Sequence, residues 1–238
     1  NWDAGGIEGY DGNVAMPVVS TGTAEAERIA GTDGIIIRSG TLLDGAVIAS
    51  HPASDSAITL NTTNHGFSTG DILMACDYTQ AAIFQGTSAS AASADIGHAS
   101  GSQTPGNCSS AFPLDCSSGG PVHSFAQNGY IAPLSLTAWY IGNDGRGGRS
   151  LYRVSSGDAP QEIASNVDDL QLEYLTRTAT SYVGASDITS WAPAAAAPVV
   201  TVRVTLDLES EEAVGANADV LRRQLIYVVN RRGARDTL

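Results

Sequence analysis

Between residues 200 and 209 apolar and polar side chains alternate without a break, and no other feature constrains the fold as strongly. The apolar positions are Val200, Val202, Val204, Leu206 and Leu208, and the polar ones are Thr201, Arg203, Thr205, Asp207 and Glu209. A period of two residues places the two sets on opposite faces of a β-strand, as in an antiparallel sheet that covers a core with one face. The chain is therefore expected to be built on antiparallel sheets.

Shorter apolar runs extend this prediction along the chain. Ile72–Cys76 and Ala81–Gln85 are expected to pair as a hairpin, and 130–141 is expected to pair with 151–154 across a type I′ turn at Asp144-Gly145. Further strands are predicted at 35–37, 47–49, 57–62, 167–175 and 225–229. The predicted fold is predominantly β, in one domain over residues 1–238, with long loops at 87–127 and 176–198.

The charge of the chain argues against nucleic acid as a partner of its main body. The net charge is −13, and all 12 basic residues are arginines. An acidic surface repels phosphate backbones. The basic residues near the end are Arg222, Arg223, Arg231, Arg232 and Arg235. A solvated strand-end pattern is the favoured interpretation of this cluster, and contact with anionic lipid or a protein partner is the alternative.

The three cysteines are expected to differ in role. Cys108 and Cys116 flank a short loop rich in serine and proline, which favours a disulfide in an oxidising compartment, although three pairings are formally possible. Closing this loop would stabilise the fold by about 2–3 kcal/mol in the chain-entropy model. Cys76 lies in an apolar run and is expected to be a buried free thiol.

Two serines lie in short matches to hydrolase motifs. Ser68 fits G-x-S-x-G at 66–70, but a strand is predicted to follow it, whereas a nucleophile elbow needs a helix there. Ser118 lies in a loop similar to the nucleophile loop of chymotrypsin-like proteases, but Ser117 stands where that family has Asp. The chain is therefore expected not to be an enzyme. A secreted serine hydrolase using Ser118 or Ser68 is an alternative.

No metal or cofactor is expected from the sequence. The four histidines, His51, His65, His98 and His123, show no spacing typical of metal ligands, and each is predicted to lie at the surface. The segment 143–145 lacks the repeated carboxylates of a calcium loop, so a hairpin turn is favoured there.

Six segments, in their order and spacing, resemble the globular domain of PilW-like minor pilins of type IV pili. The J-type minor pseudopilins of type II secretion belong to the same broad class. The segments are I-x-G-Y-D-G at 7–12, T-D-x-I-x-I-R at 32–38, G-D-x-L and the following cysteine at 70–76, S-L-Y-R at 150–153, V-x-x-L-Q at 167–171 and V-R-V-x-L at 202–206.

The resemblance implies an α+β, predominantly β fold. A pilin-like antiparallel β-sheet head with long loops would follow an N-terminal transmembrane helix that is absent from this chain. It implies a structural role in the assembly and priming of a type IV pilus and in its tip complex. The implied partners are other minor pilins, the major pilin, a tip adhesin, and the inner membrane through the missing helix.

The implied location is the pilus or cell surface of a Gram-negative-type bacterium. Before assembly the protein would be anchored in the inner membrane with a periplasmic head. A β-rich adhesin or binding module is the remaining alternative to this interpretation.

Overall fold

The computed structural model of the protein describes residues 6–40, 46–101, 103–113, 122–155, 157–191, 195–213 and 219–231. Within these ranges the chain is mostly β-strand, which confirms the predominantly β prediction. The helix described there, Ala185–Asp187, is a single 3₁₀ turn. None of the described helical residues forms a segment with the length and apolar character needed to cross a bilayer.

The described ranges contain thirteen strands. In chain order they are β1 (Ile7–Tyr10), β2 (Gly34–Gly40), β3 (Ile48–Ser50), β4 (Ala57–Leu60), β5 (Ile72–Cys76), β6 (Ala81–Gln85), β7 (Asp95–Gly97), β8 (Tyr130–Asn143), β9 (Arg149–Ser155), β10 (Gln161–Ser165), β11 (Val167–Thr176), β12 (Val199–Ala213) and β13 (Val220–Asn230). All the strands predicted from the sequence are present. β1, β7 and β10 were not predicted from the sequence. β1 and β7 are short and β10 is largely exposed, so none of the three carries a clear apolar pattern.

The chain divides into two compact units. Residues 1–38 and 136–238 make up the first unit, and residues 39–135 make up the second. The expectation of one domain over 1–238 stays a prediction.

The first unit contains two sheets that share an apolar core. One sheet has the order β1-β2-β8-β9-β10, with β8 contributing its residues from 136 onward, and the other has the order β11-β12-β13. The core that joins them includes Ile141, Leu170, Leu172 and Val202. The opposite face of the first sheet is also buried, by a second cluster around Ile36, Ala138, Tyr140 and Tyr152.

Strand β12 shows the alternation that the sequence predicted. It pairs antiparallel with β11 and β13, so that Val204 lies between Leu172 and Tyr227. The polar set lies on the other face, where the Arg203 Nε donates to Glu173 Oε2 at 2.6 Å. The period-two pattern thus assigned Val202, Val204, Leu206 and Leu208 to the correct face. It failed at Val200, because the register with β11 shifts there and Val199 belongs to the core instead.

The β8–β9 hairpin is confirmed, but the type I′ turn predicted for it is wrong. The last paired residues are Asn143 and Arg149, which leaves a loop of five residues, 144–148. Positive φ angles occur at Gly145 and Gly147, not at Asp144. Instead, the Asp144 carboxylate accepts hydrogen bonds from the backbone amides of Arg146 and Gly148, and these bonds close the longer loop.

The second unit combines a three-strand arrangement of β6, β5 and the first residues of β8 with a small sheet of order β3-β4-β7. Its core is formed by buried residues of these strands, among them Ile58, Leu73 and Ile131. The described part of the expected long loop 87–127 is more regular than its polar composition predicted, since it contains β7. Phe112 and Phe125, also within 87–127, are buried in the same core. Isolated apolar residues in a polar segment carry no period, so no sequence pattern indicated the burial of Phe112 and Phe125.

Two of the three cysteines, Cys76 and Cys108, lie within the described residues. Cys76 is a free, half-buried thiol, and burial raises the pKa of that thiol. Cys116 and Ser118 lie outside the described residues. The Cys108–Cys116 disulfide therefore stays a prediction.

Candidate functional site

The first candidate site is an apolar groove between the two sheets of the first unit. Its cavity is about 290 Å³, and every described side chain along it is apolar. The lining residues are Ile7, Ile35, Ile37, Trp139, Leu151, Leu170, Leu172, Val202, Val204, Leu206 and Val229. Alternation explains the lining, since β2 presents Ile35 and Ile37 to the groove while Ile36 points to the other core.

The groove continues into an exposed apolar strand. β13 is the edge of its sheet among the described strands, and most of its residues are exposed on both faces. Its exposed apolar side chains include Leu221, Ile226, Tyr227, Val228 and Val229. Soluble monomers rarely leave contiguous apolar surface uncovered, and such surface marks contact sites.

The second candidate is a buried histidine cluster in the second unit, which corrects the prediction of surface histidines. His51, His65 and His98 are all buried. A neutral imidazole is compatible with burial, because one ring nitrogen donates a hydrogen bond and the other accepts one. His65 uses both, accepting the amide of Phe67 and contacting the Ser93 carbonyl, each at 3.0 Å.

Topology brings His51 and His98 together. Strands β3 and β7 both run antiparallel to β4, so the two strands are parallel to each other and their carboxyl ends lie at the same end of the sheet. His51 directly follows β3 and His98 directly follows β7, and their ring centroids are 5.2 Å apart. Phe112 contacts both rings edge-on or tilted, at 5.4 Å from His51 and 4.5 Å from His98. The sequence carried no signal for this contact, because it depends on the pairing of β3 and β7 with β4.

Burial favours the neutral form of both rings. The Nδ1 of His51 accepts the amide of Phe125 at 3.1 Å, whereas its Nε2 and both ring nitrogens of His98 have no hydrogen-bond partner among the described residues. Burial, together with the neighbouring His51, lowers the pKa of His98 to about 4. Burial also lowers the pKa of His51, against the opposing effect of Asp55. No group of three or more metal-ligating side chains converges anywhere in the described ranges.

Asp77 fixes the turn after β5 beside this cluster. One carboxylate oxygen accepts the amides of Thr79 and Gln80, and the other accepts the amide of Ala126 at 3.0 Å and lies 2.9 Å from His123 Nε2. Burial would raise the pKa of Asp77, but these hydrogen bonds outweigh it and hold the pKa well below its ordinary value.

Asp77→Ala is expected to lower the free energy of unfolding of the second unit by about 2–4 kcal/mol, because several amides lose a charged acceptor. Asp77→Asn keeps one acceptor oxygen and should lose roughly half as much. Denaturant unfolding of the three proteins measures the difference. Equal midpoints for Asp77→Ala and the unsubstituted protein would contradict this role.

Ser68 lies in a turn that leads into β5, as the sequence predicted. Its amide donates to Asp71 Oδ2 at 2.8 Å, and the amide of Asp71 donates to the Ser68 carbonyl at 3.1 Å. The residues that follow form a strand rather than a helix. The expectation that the chain is not an enzyme stays a prediction.

No family model matches this chain, and neither a curated protein nor a solved structure is detectably similar to it. The geometry of the groove and of the exposed strand beside it therefore carries the functional argument.

Proposed function

We propose that this chain is the β-rich head of a PilW-like minor pilin that acts in the assembly, priming and tip complex of a type IV pilus through contacts between pilin subunits. The antiparallel β architecture is compatible with such a head. Several of the resembling segments coincide with strands: 7–12 contains β1, 70–76 contains β5, and 202–206 lies within β12. The role is structural and needs no catalytic group.

The apolar groove is the observation that carries this proposal. Sites for small molecules combine an apolar lining with a few polar groups that fix the ligand's orientation. Among the described residues no polar side chain lines the groove, and its volume lies at the lower end of the range for ligand pockets. Apolar side chains of another polypeptide fit such a lining better than a metabolite does.

An apolar helix is the partner element that best matches the groove. Helix-in-groove contacts place side chains at helical spacing into an apolar channel, while the remainder of the helix covers the rim. Here the rim includes Ile37 and Val229, both exposed apolar residues. Covering them would remove apolar surface from water, which contributes about 25 cal/mol for each Å².

Complementation in the bacterium that encodes this chain tests the proposal. A strain without the gene should lose most of its surface pili, and the unsubstituted gene should restore them. Val229→Asp, which places a charge in the groove, should restore few or none. Val228→Asp is the matched control, since Val228 is the neighbouring residue on the opposite face of the same strand and the two are exposed to 57% and 54%. It should restore piliation.

Two outcomes would overturn the proposal. Normal piliation without the gene would remove the pilin role. Full piliation with Val229→Asp would show that the groove is not the contact surface. Thermal unfolding of the purified variants shows whether either substitution acts through loss of the fold instead.

A further inference from the structure

Strand β13 presents a long and regular edge that is unpaired within the described part of the chain. Its pairing with β12 runs without a bulge from Arg222 to Asn230. No other described strand pairs with its second edge. Natural proteins protect such edges with prolines, bulges, lysines or covering segments, because an open edge pairs readily with another chain. The segment 225–229, Leu-Ile-Tyr-Val-Val, carries no proline and no charge.

The hydrogen-bonding direction of this edge follows from the register. The amide of Arg231 donates to the carbonyl of Val200 on β12, at 2.9 Å. In an antiparallel pair the direction alternates from one residue to the next. The amides of Tyr227 and Val229 therefore face β12, and those of Ile226 and Val228 face outward. The outward row comprises residues 222, 224, 226, 228 and 230.

The positive charge along this edge favours an acidic partner strand. Arg222, Arg223 and Arg231 lie on or next to β13, and residues 220–231 contain no acid, although the whole chain has a net charge of −13. Arg222 has an ion pair with Glu209 on β12, at 2.6 Å. Antiparallel pairing with a second copy would add three more arginines and no acid along the shared edge. Like charges on paired strands destabilise the pairing.

We propose that β13 accepts an additional strand from another polypeptide, an extended segment with acidic residues at its ends and an apolar centre. The apolar centre would lie along Leu225–Val229, and the acidic ends would lie near Arg223 and Arg231. The backbone of that segment would bond to the outward amides and their neighbouring carbonyls. Main-chain hydrogen bonds supply affinity in this mode, and the side chains set the specificity. The proposal concerns the free edge of β13 rather than the groove, with which it shares Val229, and it does not depend on the pilus role.

A pair of peptides tests the charge preference. The probe is a fluorescent, acetylated and amidated peptide EEVTVTVEE, and the control is KKVTVTVKK, which differs only in charge. Fluorescence anisotropy with the full chain at low salt should give a dissociation constant at least about tenfold lower for the glutamate peptide, with a strong dependence on salt. Arg223→Glu should reduce or reverse the preference.

Hydrogen exchange tests the position of the added strand. The glutamate peptide should slow exchange at the amides of Ile226, Val228 and Asn230, and it should leave Tyr227 and Val229 almost unchanged. Ile226→Pro removes one outward amide without removing a bond to β12, so it should weaken binding about tenfold. Ile226→Thr keeps the amide and a β-branched side chain, so it should weaken binding less than Ile226→Pro does.

Several results would overturn the proposal. Among these are equal affinity for the two peptides, undetectable binding of both, and peptide binding that Ile226→Pro leaves unchanged. A concentration-dependent dimer in sedimentation, with the same outward amides protected before any peptide is added, would assign the edge to a second copy instead.

Discussion

Arg28→Met is expected to lower the free energy of unfolding of the first unit by about 4 kcal/mol or more. The Arg28 side chain has no exposed surface, and its guanidinium donates to the carbonyls of Tyr10, Asp11, Val14 and Thr32. Each hydrogen bond to a charged group contributes about 1.5–3 kcal/mol. The substitution would remove this donor from the buried carbonyls of Tyr10, at the end of β1, and Thr32, just before β2. Denaturant unfolding measures the loss.

Two further variants separate the causes. Arg28→Lys keeps the charge but lacks the planar fork of five donors, so it should recover only a small part of the loss. Arg38→Met is the control at a partly exposed arginine, whose ion pair with Glu8 at 2.6 Å is worth about 1 kcal/mol or less. Equal unfolding midpoints for Arg28→Met and Arg38→Met would refute the proposed role of Arg28.

The contribution of His98 to stability is expected to fall by about 2–3 kcal/mol between pH 7.5 and pH 4.5. The pKa of His98 is about 4 in the folded chain because the ring is buried beside His51, whereas its ordinary value is 6.5. Between these values the unfolded state binds more protons than the folded state. The stability is therefore fully present above pH 6.5 and is lost as the pH falls toward 4. Each pKa unit corresponds to about 1.4 kcal/mol.

Comparison with His98→Phe isolates this effect. Phenylalanine keeps an aromatic ring against Phe112 and does not titrate. The unfolding free energy of the unsubstituted protein minus that of His98→Phe should therefore fall by about 2–3 kcal/mol between pH 7.5 and pH 4.5. The comparison is needed because burial raises the pKa of Asp33 to about 6, which favours the folded state as the pH falls through that value. Asp33 is present in both proteins, so its contribution cancels. A difference that stays constant with pH would contradict the prediction.

The local strand pattern is what the sequence determined most completely. The alternation of β12 predicted its extended conformation and the face of its side chains from Val202 to Leu208, because the side-chain period of a strand is fixed at two. The hairpin of β5 and β6 was predicted with its observed bounds for the same reason. The G-x-S-x-G context of Ser68 was also decided locally, since the strand after Gly70 begins within two residues.

Only the tertiary structure decided which distant residues meet. Nothing near His51 in sequence indicates that it contacts His98; the antiparallel placement of β3 and β7 around β4 brings them together. The groove likewise depends on the packing of two sheets whose strands come from both ends of the chain. The sequence showed that β13 was a strand, but its place at an edge of the sheet, with outward amides at alternate residues, follows from its pairing with β12. Side-chain period is a local property, whereas strand order depends on long-range contacts that no local pattern encodes.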